Sequence, residues 1–518
     1  MTESSKRRLK EEYGDWQTNF PLALSICQML KEQGVCPQVV IEPTCGKGNF
    51  VLAALATFES LETVLGIEIN AGYLHELSRK LDEVRTQHRA SIHLLNENVF
   101  NVNFKEIKAS IHGKNILVLG NPPWVTNSKL GELNSINLPV KSNFKGDKGL
   151  DAMTGKGNFD IAENITCRMI ELMEGEDAHL ALLLKCSVIK NIIYEQGKKS
   201  SLVDCAQYNI DTEKEFAASV ASALFTAKVG KGDKAVCDVF DFYTKESIKT
   251  FGWVDRCFVS DCEKYRSTQF VDGKSGLTWW SGLKHDCSNV LELSRVEGGY
   301  VNKMNEKVDV EEDLIYPFLK SSDLKGDAVT QCRKYVILTQ RRTSENTDEI
   351  NRLYPKTYQY LTSHLDYFER RKSSIYKNRP KFCIFGVGDY TFKKYRVAIS
   401  GLYKQTKFSL VSDVGGKLAL LDDTTYLLGF DNQDYAVYTL KLLNSDVVQH
   451  FIESVYFTDA KRPINKDLLM RIDLLAVLNR LGRSFLGISE RQFDDYKLHL
   501  QPYAEGNLFT SDKKRQAS

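Results

Sequence analysis

Short apolar runs of the kind buried in a parallel sheet recur through the first half of the chain: "QVVIEP" (38–43), "TVLGIEIN" (63–70), "SIHLLNENVF" (91–100), "NILVLGN" (115–121) and "HLALLLK" (179–185). Segments with helical spacing lie between several of them, at residues 49–58, 74–84 and 162–173. This alternation predicts an α/β domain with a doubly wound sheet over residues 1–255. Near its end "KAVCDVFDFYT" (234–244) alternates as an antiparallel edge strand does. Beyond that the pattern turns into mixed segments without βαβ order. A chain of 518 residues exceeds what one hydrophobic core supports, so residues 256–518 are read as a second, mixed α+β domain.

One connection breaks the rhythm. Residues 125–157 are rich in Gly, Asn, Ser and Lys and lack periodicity, as in a binding loop, a lid or a disordered segment. Its "TGKG" (154–157) is not a nucleotide P-loop, because the spacing to Gly149 is wrong and Gly157 replaces the metal-binding hydroxyl. Apolar residues at 42% and charged residues at 26% are ordinary for globular protein. A charged N-terminus and the lack of a long apolar run predict a cytoplasmic protein without a membrane partner. Twelve scattered cysteines without a CxxC pair read as reduced thiols, and no metal site is expected. The net charge is only +2, but residues 333–408 hold 17 Lys and Arg against 6 Asp and Glu, interleaved with aromatics. That composition suits a surface meeting phosphates and bases. Within it Arg371, Lys372, Lys377, Arg379, Lys393, Lys394 and Arg396 are the candidate DNA-facing residues.

Chemistry gathers at the strand ends. The first strand runs into "EPTCGKGNF" (42–50), a tight Gly-containing turn that aims a helix N-terminus at a ligand. Twenty-six residues beyond Glu42, Glu68 closes the second strand, where an acid can hold the hydroxyls of a ribose. The full GxGxxG is absent, and Glu42 would repel a pyrophosphate. An acid there matches a cationic ligand, the ammonium and sulfonium of S-adenosyl-L-methionine. The fourth strand ends in Asn121-Pro122-Pro123-Trp124.

In order, "GDWQTNF", "EPTCGKGNF", "GIEIN" and "NPPW" resemble the motifs of amino-type DNA methyltransferases acting on adenine N6, in the gamma arrangement of TaqI-like enzymes. The resemblance covers roughly the N-terminal half. It implies a Rossmann-like catalytic domain at 1–255, with a DNA target recognition domain at 256–518. It also implies S-adenosyl-L-methionine as cofactor, held by Thr18, Glu42, Pro43, Thr44, Cys45 and Gly46 around its methionine end and by Glu68 at its ribose. Asn98 and Val99 would meet its adenine, and Asn121 would border it. Two departures stand out: Asn98 replaces the family's Asp, and Asn19 replaces a Pro.

An exocyclic adenine amine is a poor nucleophile because its lone pair is delocalised. Acceptors at its two protons, the Asn121 amide oxygen and the Pro122 carbonyl, would favour a pyramidal nitrogen aimed at the methyl donor. Pro122 and Pro123 fix φ and remove competing N–H groups. Trp124 offers a stacking face, Phe225 resembles the family's second aromatic wall, and base flipping is implied. Lys129, Lys141, Lys145, Lys148 and Lys156 in the long connection would close over the base or touch the displaced strand. The expected partners are double-stranded DNA and a cognate restriction endonuclease acting on the same site. Two other readings are methylation of protein glutamine or ribosomal RNA, and a non-catalytic DNA-binding specificity module.

Overall fold

The structure, a computed structural model, describes residues 16–84, 88–125, 160–232, 235–402, 406–457 and 462–501. The chain divides into two compact units, Met1–Cys262 and Glu263–Ser518.

The first unit is built on one ten-stranded sheet. Its strands are β1 (Val39–Glu42), β2 (Thr63–Glu68), β3 (Ser91–Asn96), β4 (Asn115–Gly120), β5 (Asp177–Lys185), β6 (Leu202–Asn209), β7 (Ser222–Val229), β8 (Val236–Asp241), β9 (Ser247–Val254) and β10 (Cys257–Val259). The spatial order from one edge is β3-β2-β1-β4-β5-β7-β6-β8-β9-β10. β1 to β5 pair in parallel and β7 runs antiparallel between β5 and β6. Helices α1 (Phe20–Glu32), α2 (Asn49–Thr57), α3 (Ala71–Val84), α4 (Phe104–Ile111), α5 (Ile161–Met173) and α6 (Cys186–Lys199) supply most of the connections, and α7 (Thr212–Phe216) joins β6 to β7. Every residue of β1 is buried, which requires cover on both faces and explains why its sequence is apolar without alternation.

The expected edge strand is not an edge. β8 pairs in parallel with β6 and antiparallel with β9, and β10 lies beyond. The alternation in "KAVCDVFDFYT" is real, with Cys237 and Val239 buried and Asp238 exposed, but it reports two unlike faces rather than a free edge. The start of α1 accounts for Asn19. Its side chain caps the helix by accepting from the Leu22 N–H (2.8 Å), ahead of Pro21 in the first turn.

The second unit holds a five-stranded, a six-stranded and a two-stranded sheet, followed by helices at Gln433–Leu443, Asp446–Val455, Leu474–Leu486 and Glu490–Leu500. Many of its strands have only two or three residues. Phe318, Val336, Ile337, Phe368 and Phe382 share one core cluster. A buried carboxylate, Glu292, lies 2.6 Å from Lys320, 3.1 Å from Lys303 and 3.4 Å from His285. Burial alone would raise its pKa, yet the hydrogen bonds from His285 and Lys320 outweigh that and hold it at about 2. His285 is thus engaged within the core, its Nδ1 accepting from the Cys287 N–H (3.1 Å). All twelve cysteines are free thiols. Among the described residues no helix is long and apolar enough to cross a membrane.

Candidate active site

The turn after β1 is shaped by left-handed backbone. Gly46 and Gly48 have φ of 49° and 77°, and a Cβ on Gly48 would fall 2.1 Å from Leu77 Cδ1. Glycine at position 48 therefore lets α2 begin directly behind the turn. The Glu42 carboxylate, at the end of β1, accepts from the Val51 N–H in the first turn of that helix. Glu42 is only 3% exposed and its Oε2 has no partner. Burial, reinforced by the charge of Glu68, pushes its pKa well above the ordinary 4.5. Burial also raises the Cys45 thiol, with Glu42 and Glu68 adding to it.

Gly120, at the end of β4, has φ 153°, and a Cβ there would sit 3.2 Å from Glu42 Cγ. The absent side chain lets Gly120, the residue before Asn121, pack against the Glu42 side chain. Two further acceptors in this corner, Thr44 Oγ1 and Asn121 Oδ1, are likewise buried without partners. Three orphan acceptors at adjoining strand ends are costly in a finished core. They fit a cationic, hydrogen-bond-donating ligand, which is the character of the methionine end of S-adenosyl-L-methionine. Glu68 is tied to the turn, its Oε2 accepting from the Gly46 N–H and its Oε1 from the Asn70 N–H (both 2.8 Å). A carboxylate oxygen can accept more than one hydrogen bond, so an acid at this strand end suits a ribose hydroxyl. Past β3, Asn98 Oδ1 accepts from the Phe100 N–H (3.0 Å) and Val99 is buried. The Asn98 side chain therefore braces its own turn.

Around Asn121 the segment before α1 closes in. Asn121 Nδ2 donates to the Trp16 carbonyl (2.7 Å) and to Thr18 Oγ1 (3.2 Å). Thr18 is buried, and its carbonyl accepts from Asn49 Nδ2 (2.7 Å) at the head of α2. Pro122 and Pro123 lead to Trp124, whose Nε1–H donates to the Leu183 carbonyl (3.2 Å). The indole is only 6% exposed, enclosed by Trp16 (centroids 6.4 Å apart) and by Phe216, edge-on at 5.2 Å. The face expected to stack on the base is covered here by these two side chains.

Phe225 is not its companion. It is fully buried (0% exposed) in the middle of β7, paired with Leu182 and Gln207 on either side. The aromatic that reaches Trp124 is Phe216, at the end of α7, where Ala217 turns left-handed (φ 53°) and ends the helix. The sequence signal was the aromatic nine residues earlier, at the end of the short helix that precedes the strand rather than inside the strand. Truncation separates the two roles. Phe225→Ala is expected to lower stability by about 3–5 kcal/mol while turnover per folded molecule holds; Phe216→Ala is expected to lose turnover. Denaturant midpoints read against rates on folded protein check both.

The long connection, with Lys129, Lys141, Lys145, Lys148 and Lys156, lies outside the described residues. Its two ends meet beside the site, where the Ile161 N–H donates to the Val125 carbonyl (2.9 Å). Asp160 caps α5 through the Ala162 N–H and pairs with Lys185 at 2.5 Å. Burial raises the Asp160 pKa despite that lysine.

The basic candidates of the second unit divide by what they touch. Lys372, Lys377, Arg379 and Lys394 are exposed. Lys393 pairs with Asp431. Arg371 and Arg396 are structural. Arg371 donates to the carbonyls of Phe368, Lys381 and Cys383 and stacks on Tyr376 at 3.8 Å. Arg396 is 1% exposed in its sheet and donates to the carbonyls of Ala419 and Ser412. Phe368, Phe382 and Phe408 are buried as well, so several of the aromatics interleaved with the basic residues build a core rather than a contact surface.

A sheet ordered 3-2-1-4-5-7-6 with an antiparallel seventh strand, carrying a Gly turn after β1 and an acid after β2, is a class I methyltransferase fold. The type II methyltransferase M.NspV of Nostoc sp. (strain ATCC 29411 / PCC 7524) is 38% identical over 473 residues, covering 90% of this chain and 97% of the relative. The chain belongs to the type II methyltransferases, the modification enzymes of restriction-modification systems. No protein-family model matches it. Solved structures similar to it include the type IIL restriction-modification enzyme MmeI in complex with DNA, with a TM-score of 0.48 and 11% identity over 85% of this chain. Another is the type IIG restriction endonuclease BpuSI, with a TM-score of 0.39 and 13% identity over 93% of this chain. The chain spans 63% of the first of these and 65% of the second.

Proposed function

We propose that the protein methylates the N6 amino group of a flipped adenine in double-stranded DNA, using S-adenosyl-L-methionine. The observation that carries this reading is the pair of buried, unpartnered acceptors at adjoining strand ends, Asn121 Oδ1 and Glu42 Oε2. One is an acceptor for an amine proton; the other is a counter-charge for a cationic donor.

When bound, the cofactor would supply an activated, electrophilic methyl group on a sulfonium with a neutral thioether as its leaving group. Glu42 and Thr44 hold the donor's polar end, and Glu68 holds its ribose. Asn121 Oδ1 and the Pro122 carbonyl accept the two amine protons and turn the nitrogen lone pair toward the methyl carbon. The alkylated nitrogen then loses one proton to solvent. Trp124 and Phe216 form the aromatic corner for the base, and rotation of the Trp16 side chain opens the indole face. In the second unit Lys372, Lys377, Arg379 and Lys394 meet the DNA phosphates, and a cognate restriction endonuclease acts on the same site.

The test is incubation with tritium-labelled cofactor and unmethylated DNA, followed by mapping of the modified positions. Label in N6-methyladenine at one recurring sequence is the expected result. Label in cytosine, or only in RNA or protein, overturns the reading.

A further inference from the structure

Resting on that reading, we propose that residues 16–18 are a positioning strap that fixes which end of the Asn121 amide faces the substrate, with the Thr18 hydroxyl as its adjustable part. An asparagine amide fits its site in two orientations that differ by exchange of oxygen and nitrogen. Only one presents an acceptor to an amine; the other sets N–H against N–H. Asn121 therefore has to be held one way before the base arrives.

The strap does this with two acceptors on one side of the amide. The Trp16 carbonyl lies 2.7 Å from Nδ2 and Thr18 Oγ1 lies 3.2 Å from it. A hydroxyl could turn and donate to an oxygen, but a carbonyl cannot, so a flipped amide would set Oδ1 against the Trp16 oxygen. Both Nδ2 hydrogens are engaged, and Oδ1 is left buried and free. The chemistry demands that arrangement.

The strap is itself anchored to the cofactor turn. The Thr18 carbonyl accepts from Asn49 Nδ2 at 2.7 Å, and Gln17 Oε1 accepts from the Lys47 N–H at 3.2 Å. The end of the Gln17 side chain packs on the bare backbone of Gly46, where a Cβ would come 2.7 Å from its Oε1. The same few residues thus connect the donor turn to the amide that prepares the acceptor.

Thr18→Val removes the hydroxyl and preserves shape. It should lower the single-turnover methylation rate about tenfold, the effect of one lost hydrogen bond. Cofactor Kd, measured by calorimetry, should stay within about twofold. Thr18→Ser, which keeps the hydroxyl, should return the rate to within about threefold of wild type. In an Asn121→Ala background, where no amide is left to orient, Thr18→Val should cost nothing further in residual tritium transfer. A Thr18→Val enzyme as fast as wild type overturns the proposal. So does one whose rate and cofactor affinity fall together, since that makes Thr18 a cofactor ligand. The underlying reading fails separately, if Asn121→Ala alone methylates at the wild-type rate.

Discussion

Asn121→Ala is expected to lower methyl transfer by roughly 10²–10³, the scale for removing one preorganised group that meets charge in the transition state. Cofactor affinity should be nearly unchanged. The amide makes two kinds of contact, and they predict different things. Nδ2 is spent on the Trp16 carbonyl and the Thr18 hydroxyl, which are structural partners. Oδ1 is buried with no partner at all, so the folded protein loses little when it goes. Losing Nδ2 leaves those two acceptors unpaired, so the melting temperature should fall by the equivalent of about 1–3 kcal/mol, while the larger deficit appears in the rate. Asn121→Asp sharpens the test. It keeps an acceptor toward the substrate but sets a second carboxylate oxygen against the Trp16 carbonyl, two acceptors at hydrogen-bond range. That variant should bind cofactor yet transfer more slowly than wild type. Single-turnover rates and calorimetric Kd values on both variants check the assignment, and an Asn121→Ala enzyme with unimpaired transfer would remove Asn121 from the chemistry.

The second large effect belongs to Glu42 and is carried by protons. In the free protein, burial, with Glu68 nearby, raises its pKa well above 4.5. A cationic ligand against Oε2 favours the ionised form, so binding draws the proton off. Cofactor affinity should rise with pH through the raised pKa of the free protein and level off above it. Calorimetry in buffers of different ionisation enthalpy should record proton release on binding. For stability without cofactor the sign runs the other way. The folded state binds more protons than the unfolded state from about pH 4.5 up to the raised pKa, so stability falls as pH climbs through that window. Glu42→Gln should flatten both profiles and weaken cofactor binding by roughly 2–4 kcal/mol, about 30- to 1000-fold in Kd. Binding that is independent of pH in wild-type protein would show that Glu42 faces no cation.

Strands β1, β2, β4 and β5 could be read from the sequence because each has a buried apolar centre, the mark of cover on both faces, and the Gly turn, Glu68 and Asn121 sit at the ends of the first three. What failed there was arrangement across the sheet. β8 alternates as an edge strand would, yet β9 and β10 continue past it, and that pairing leaves no trace in β8 itself. Phe225 and Phe216 are nine residues apart, and only the location of the β7 start tells which one reaches Trp124. The second unit was legible by composition alone. Its strands are too short for periodicity to speak, and charge does not reveal direction: Arg396 and Lys394 are neighbours in sequence, one sealed under its sheet and the other in solvent. Buried arginines that satisfy main-chain carbonyls look, in sequence, the same as arginines that meet phosphate.

The hydrogen bond from the Ile161 N–H to the Val125 carbonyl has a consequence for how such an enzyme can diverge. It ties Val125 to Ile161 just past Trp124, so these two residues form a fixed neck whatever length of chain connects them. Closing a longer excursion from a fixed neck costs only about 0.6 kcal/mol for each doubling of its length. Evolution can lengthen, shorten or exchange what is inserted there while Asn121 stays in register with its strand. Size is free to drift within four residues of the one position whose geometry cannot.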